Sequence, residues 1–192
     1  MKFQNLFVVA IAAIFLSGCS GTLPPMNFSP PNVGLSQKKL NAEMKSLTVT
    51  IARPDEKTGD IPFWVEQMVP QQWNTALTES LNRMAIFQDD STMKVNLSVK
   101  LLKLIVPSGG LSATTEAAAR YEIMDRKTGD IIFTQDISSS GTTPSDYAIE
   151  WRARARESVN RAIQNNITQF LQALETVDVN KPMFPAKLGA AK

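Results

Sequence analysis

The feature that most restricts the fold is a two-residue alternation that breaks and restarts between Met93 and Ile137. Met93, Val95, Leu97, Val99 and Leu101 alternate with Lys94, Asn96, Ser98 and Lys100, and then Leu102, Leu104 and Val106 continue on the opposite parity. Successive side chains of a strand point to opposite faces, so this pattern predicts a half-buried strand with a β-bulge at Leu101–Leu102. Pro107-Ser108-Gly109-Gly110 turns the chain, and Ala113, Thr115, Ala117, Ala119, Tyr121 and Ile123 make the next face. The turn "DRKTGD", Asp125 to Asp130, leads to Ile131, Phe133, Gln135 and Ile137. Pairing Leu97 with Tyr121, Val99 with Ala119, Tyr121 with Phe133 and Ile123 with Ile131 keeps the apolar sets on one side. That register also puts Gly129 at the left-handed position of a bulged turn. A three-stranded antiparallel meander is the expectation.

The flanking segments supply what covers it. Leu47, Val49 and Ile51 alternate with Thr48 and Thr50 and predict a short strand. Val65, Met68, Val69, Trp73, Ala76, Leu77, Leu81 and Met84 recur at helical spacing. Pro70 belongs in a first turn, which predicts regular helix from about Pro70 to Met84. Thr143 as N-cap, Pro144 at the first position and Asp146 in the first turn predict the start of a last helix. Its stripe is Ala155, Val159, Ala162, Ile163, Ile167, Phe170, Leu171 and Leu174. The expected fold class is α+β: an antiparallel sheet, made of the meander plus a short N-terminal strand, with two helices packed on one face. Small Ala117 and Ala119 allow a helix to come close. Lys94, Asn96, Ser98, Lys100, Arg120, Glu122 and Asp136 are expected on a wet opposite face.

The N-terminus gives an address. Lys2 precedes an apolar run, Leu6 to Leu16, that is too short to span a bilayer, and residues 1–18 read as a signal peptide. Leu16-Ser17-Gly18-Cys19 resembles a bacterial lipobox. That resemblance implies cleavage before Cys19, a diacylglycerol on its sulfur and an acyl chain such as palmitate on its new amino group. The alternative is an ordinary signal peptide with a chance cysteine; Cys19 has no partner cysteine within the chain. Ser20 in place of Asp resembles the sorting pattern of Gram-negative lipoproteins bound for the outer membrane, facing the periplasm. The prolines of residues 19–45 predict a flexible lipidated tether, able to hold a folded body tens of ångströms from the membrane. Residues 46–176 are expected to form one α/β domain, and 177–192 a loose tail.

Composition removes whole classes of chemistry. The chain has no histidine, and its one cysteine is assigned to lipid. The commonest general base, the usual zinc ligand sets and every Ser-His-Asp arrangement are therefore missing. Without Lys2 the mature chain has 19 basic and 18 acidic side chains, a balance that does not select nucleic acid. Neither a cofactor nor a metal is expected. "KTGDI" occurs at Lys57–Ile61 and Lys127–Ile131, with Ser-x-x-Lys at Ser36–Lys39 and Ser-x-Asn at Ser158–Asn160. These fragments match penicillin-recognising enzymes in letters only; their order along the chain is wrong, and both copies read as turns. The candidate contact residues are Arg152 and Arg156, one helical turn apart, with Trp64, Trp151 and the loop glycines Gly109 and Gly110. Solvated helix surface is the competing reading for the arginines, and a hairpin tip for the glycines.

The succession of lipobox, proline-rich tether, "PFW", "ALTESLNRMAIF", "LLKLIVPSGG", "ARYEIMDRKTGDIIF", "SGTTPSD" and "ARESVNRAIQNNITQFL" resembles a poorly characterised family of bacterial envelope lipoproteins. Members of that family are sometimes labelled sugar-nucleotide acyltransferases, a label that this chain, without histidine or hexapeptide repeats, does not support. More distantly it resembles auxiliary lipoproteins of ABC-type lipid transport and lipoprotein activators of cell-wall synthases. The resemblance implies a non-catalytic module for cell-envelope maintenance. It would be held to the membrane by its lipid and would contact a protein, lipid or glycan of the envelope.

Overall fold

A computed structural model describes residues 23–186. The elements follow as β1 (Glu43–Ile51), α1 (Phe63–Met84), β2 (Lys94–Ile105), β3 (Ala113–Asp125), β4 (Ile131–Thr143) and α2 (Trp151–Leu174). The four strands form one sheet in the order β1-β2-β3-β4, and both helices pack on one of its faces. The fold class is α+β.

The sheet is mixed, which corrects the antiparallel expectation at one place. β1 runs parallel to β2, with Leu47 beside Leu97 and Val49 beside Val99. Parallel neighbours need a crossover connection, and α1 is that crossover. The alternation of β1 carries no information about direction. β2, β3 and β4 form the expected antiparallel meander, with the expected irregularity between Leu101 and Lys103. At that bulge Leu102 leaves the main core and is buried instead with Ala52 and Ala118, while Leu104 beyond it rejoins the main core.

The register differs from the sequence reading by two residues in both hairpins. Val99 pairs with Tyr121, Leu97 with Ile123, and Ile123 with Phe133. A slip of two leaves every side chain on its own face, so burial does not discriminate between these registers; the turns do. Asp125 N–H donates to the Asp130 carbonyl and Gly129 N–H to the Asp125 carbonyl, each at 2.9 Å. Asp125 Oδ1 also accepts from the backbone of Lys127 and Thr128. Gly129 has φ 78°, the left-handed conformation expected of it.

Both helix starts differ from expectation. α1 begins at Phe63, with Pro70 inside it. An interior proline removes one helical hydrogen bond at a cost of about 3 kcal/mol. Val65 and Val69, both fully buried, offset that cost with about 1.5–3 kcal/mol each. At α2, Thr143 is the last residue of β4, paired with Ala113, and the helix starts at Trp151. Strand pairing claims Thr143 before a cap can form, and residues 144–150 become a loop. The guanidinium of Arg154 closes that loop by donating to the carbonyls of Ala148 and Ile149.

The expected tether and tail are largely folded where the structure describes them. Phe28 (2% exposed), Leu40 and Ala42 belong to the core. Ser36 N–H donates to the Met84 carbonyl and Leu40 N–H to that of Ile86. At the other end Val177 and Val179 are buried, and Phe184 bridges to Ile131 at the outer edge of β4. Proline suppresses regular structure without suppressing burial, so composition misread both segments. Cys19 lies outside the described residues, as do residues 1–22 and 187–192 as a whole.

The centre of the core is aromatic. Tyr121 stacks on Phe170 with ring centroids 4.1 Å apart, and Phe133 leans on the same ring. Tyr121 Oη donates to Asn166 Oδ1 at 2.9 Å, while Asn166 Nδ2 donates to the Ile137 carbonyl and to Ser139 Oγ. Complete burial pushes the Tyr121 phenol well above its ordinary range. α2 comes very close to the sheet at Gly141, where an added Cβ would lie 2.2 Å from Ala162 N and 2.6 Å from the Ser158 carbonyl oxygen. Thr115 and Ser158 hydroxyls meet beside it at 2.7 Å. The close approach foreseen over Ala117 and Ala119 is thus completed by a glycine that the pattern did not mark.

The opposite sheet face carries polar pairs. Arg120 and Asp136, directly cross-strand, form a bidentate bridge. Glu43 binds both Lys45 and Lys94. Glu56 Oε1 accepts from Lys100 Nζ at 2.7 Å and its Oε2 from Arg53 N–H. Those contacts, the Lys100 bond first, lower the Glu56 pKa to about 2.

Candidate functional site

Both helices begin at the same end of the molecule. Trp64 in the first turn of α1 and Trp151, Arg152, Ala155, Arg156 and Val159 of α2 line one cleft of about 320 Å³. Val106, just past β2, closes one wall, and Leu23 and Met26 of the N-terminal segment close another. Four of the residues singled out in the sequence, Trp64, Trp151, Arg152 and Arg156, therefore meet. Trp73 lies in the core, as its place on the buried stripe of α1 requires.

The local reasons are legible. Pro62 is the N-cap residue of α1 and has no side chain to cap it, and the helix opens with Phe63 and Trp64, both exposed. On α2, Arg152 and Arg156 stand four residues apart on one face and both reach the cleft. Neither forms a salt bridge among the described residues, whereas Glu157 is taken by Arg161 and Glu66 by Lys57. Arg154 lies over the Trp151 ring at 5.4 Å and holds the loop carbonyls, so it shapes the cleft wall without lining it. The N-terminal ends of the two helices add partial positive charge at the same place.

Gly109 and Gly110 occupy the β2–β3 tip and do not line the cleft. Gly110 has φ 131°, which other residues rarely adopt, and a Cβ on Gly109 would meet open space. Both fit the hairpin-tip reading. Of the motif fragments, Lys57–Asp60 and Lys127–Asp130 lie in turn and loop segments. Ser36 Oγ bonds to Lys38, and Lys39 Nζ to the Ala85 carbonyl. Ser158 sits against Thr115, so the serine–lysine fragments make no common site.

The sequence reading missed Leu23, Met26 and Val106 as lining residues. Leu23 and Met26 fell within the assumed tether. They are held there by Asn160, whose Oδ1 accepts from Asn27 N–H at 3.0 Å and whose Nδ2 donates to the Pro25 carbonyl. Gln164 Nε2 donates to the Asn27 carbonyl, and Ser29 Oγ to Glu79 of α1. Asn160 and Gln164 on a helix otherwise read for its apolar stripe were the available signal. Among the described residues no group of three acidic or thiol side chains is placed to hold a metal ion, and no helix is long and apolar enough to cross a membrane.

An α+β layer with a cleft between the two helix N-termini is the class this geometry defines. No protein-family model matches the chain. No curated protein matches it either. Among solved structures it is similar to protein XCC0632 of Xanthomonas campestris, from family DUF330, with a TM-score of 0.53 at 10% identity over 78% of this chain and 91% of the other. The hypothetical protein CT253 of Chlamydia trachomatis aligns over 73% of this chain and 97% of its own, at 10% identity and a TM-score of 0.49. A minor lipoprotein of Acinetobacter baumannii aligns over 68% and 92%, at 12% identity and a TM-score of 0.41. At these identities the first likeness speaks for the fold alone.

Proposed function

We propose that the chain is a lipoprotein held by acylated Cys19 to the outer membrane, facing the periplasm, and that it serves the cell envelope as a non-catalytic binding or accessory module. The observation that carries this is the lipobox-like Leu16–Cys19 at the end of an apolar run, four positions ahead of a cleft that pairs two tryptophans with two arginines that form no salt bridge among the described residues. Apolar walls with convergent cations suit an amphiphilic ligand or a partner bearing an anionic group, such as a phospholipid or a phosphorylated glycan. A residue set without histidine, and with its one thiol assigned to lipid, supports binding over catalysis.

A second reading, an auxiliary subunit of a lipid-transport or cell-wall-synthesis machine, is favoured by one feature. β1 is an edge strand, and an extended segment of a partner could add to it. Intact-mass analysis of protein extracted from envelopes tests the anchor: loss of residues 1–18 and a mass gain for a triacylated Cys19 are expected, and an unmodified N-terminus contradicts the reading. Co-purification in mild detergent separates the two roles. A stoichiometric protein lost when β1 is blocked by Val49→Pro, in a chain still folded by circular dichroism, supports the second; a bound lipid lost with Arg152→Gln/Arg156→Gln supports the first.

A further inference from the structure

Among the described residues, the end of the molecule that carries the cleft also carries most of the exposed large apolar side chains. Phe63 and Trp64 open α1, Ile105 ends β2, Leu111 stands on the hairpin tip, and Tyr147 and Ile149 precede α2. Ile149 and Leu111 are almost wholly exposed. Each of these residues is a cleft-lining residue itself or lies within five positions of one along the chain. The far end also exposes Leu35, Met124, Met183 and Phe184, but these line no part of the cleft and are interspersed with acid: the loop after α1 presents Gln88, Asp89 and Asp90 to water, and Asp125–Asp130 forms a polar turn. Hydrophobic residues scattered singly need no explanation, but an aromatic and aliphatic group gathered around two arginines that form no salt bridge among the described residues does.

The N-terminal segment indicates what covers it. Leu23 lines the cleft, and Asn160 and Gln164 fix residues 25–27 to α2. Leu23 is four residue steps from Cys19, which at full extension span no more than roughly 14 Å. A chain anchored at Cys19 is therefore leashed at this end and not at the other.

We infer that this pole is a membrane-contact face: Phe63, Trp64, Leu111 and Ile149 enter the headgroup region of the bilayer that holds the lipid anchor, and Arg152 and Arg156 meet phospholipid phosphates. The inference rests on the lipoprotein reading and deepens it, since it fixes which end of the folded body meets the membrane. Aromatic side chains with an apolar body and a polar tip suit that depth, and guanidinium groups bind phosphate in bidentate fashion. An interfacial element of this kind is buried by roughly 5–10 Å. The strands then stand away from the membrane, and the polar sheet face and the free edge of β1 remain in water.

The test uses the full acylated chain, in which Cys19 is blocked by lipid and an introduced cysteine is the one free thiol. Ile149→Cys, Leu111→Cys and, at the far pole, Asp89→Cys are labelled with an environment-sensitive fluorophore and reconstituted into phosphatidylethanolamine–phosphatidylglycerol vesicles containing brominated lipid. About a two-fold loss of emission is expected at 149 and 111, the depth range of an interfacial contact, with little change at 89. Equal quenching at all three positions, or none at any of them, overturns the inference. If labels at 149 and 111 are shielded from an aqueous quencher in detergent micelles free of phospholipid, at concentrations where the protein self-associates, a second copy covers the pole and the inference also fails. Intact mass of the same samples separates these results from failure of the anchor: an unacylated chain refutes the lipoprotein reading, while an acylated chain with unquenched labels refutes only the membrane-contact face.

Discussion

The helix-covered face of the sheet and the cleft pole contain the same kinds of side chain in opposite circumstances. In the first, Tyr121, Phe133 and Phe170 stack on one another, Asn166 takes up the buried hydroxyl, and Gly141 lets α2 touch the strand. In the second, Phe63, Trp64, Leu111 and Ile149 have no comparable cover among the described residues. Burial of a large apolar side chain contributes about 1.5–3 kcal/mol, so the first set accounts for stability and the second contributes little to it. The comparison separates what holds the fold from what the fold presents.

The largest effect that would sharpen this contrast is at the aromatic centre. Phe170→Ala should lower unfolding stability by about 3–5 kcal/mol in urea titrations, since it leaves a cavity against Tyr121 that the sheet cannot close. Gly141→Ala follows, at about 3 kcal/mol, because the added methyl meets α2 backbone that cannot move alone. Asn160→Ala comes next, at about 1–2 kcal/mol, by freeing Asn27 N–H and the Pro25 carbonyl. Faster amide exchange at residues 26–29, with the sheet unchanged, would mark its local character.

The smallest effects come from the water-facing sides. Glu56 has a folded pKa of about 2, below its unfolded value, so its contribution is present above about pH 4.5 and disappears as pH falls towards 2. Glu56→Gln should therefore flatten the pH dependence of the urea midpoint in that window and leave the rest unchanged. Ile149→Ser with Leu111→Ser should alter stability by no more than about 0.5 kcal/mol. A loss of several kcal/mol from that double variant would break the contrast, since it would mean that the pole is part of the core.

Much of this was legible in the sequence where periodicity decides the answer. The bulge at Leu101–Leu102 and the wet face with Arg120 and Asp136 follow from which residues alternate, the stripes of both helices from three- and four-residue spacing, and the turn at Gly129 from its glycine. What was not legible has a common cause: alternation says which face a residue occupies and nothing of direction or offset. It was therefore silent on the parallel pairing of β1 and on a register slip of two, which the Asp125 turn decides. Composition misjudged the segment around Phe28, since prolines that block regular structure do not prevent an aromatic ring from docking. Of the candidate contact residues, Trp64, Trp151, Arg152 and Arg156 came together because both helices begin at one end. Leu23 and Met26 were hidden by the same proline signal.

On the proposed anchor at Cys19, the leashed end and the cleft end coincide and lie against the bilayer. Neutron reflectometry of the acylated chain on a supported bilayer measures this directly. Protein density continuous with the headgroup layer and reaching outward by about the length of a 12-residue strand, roughly 40 Å, is expected. A hydrated gap of some tens of ångströms between headgroups and protein, as a free proline-rich tether would leave at roughly 3 Å per residue, would contradict it.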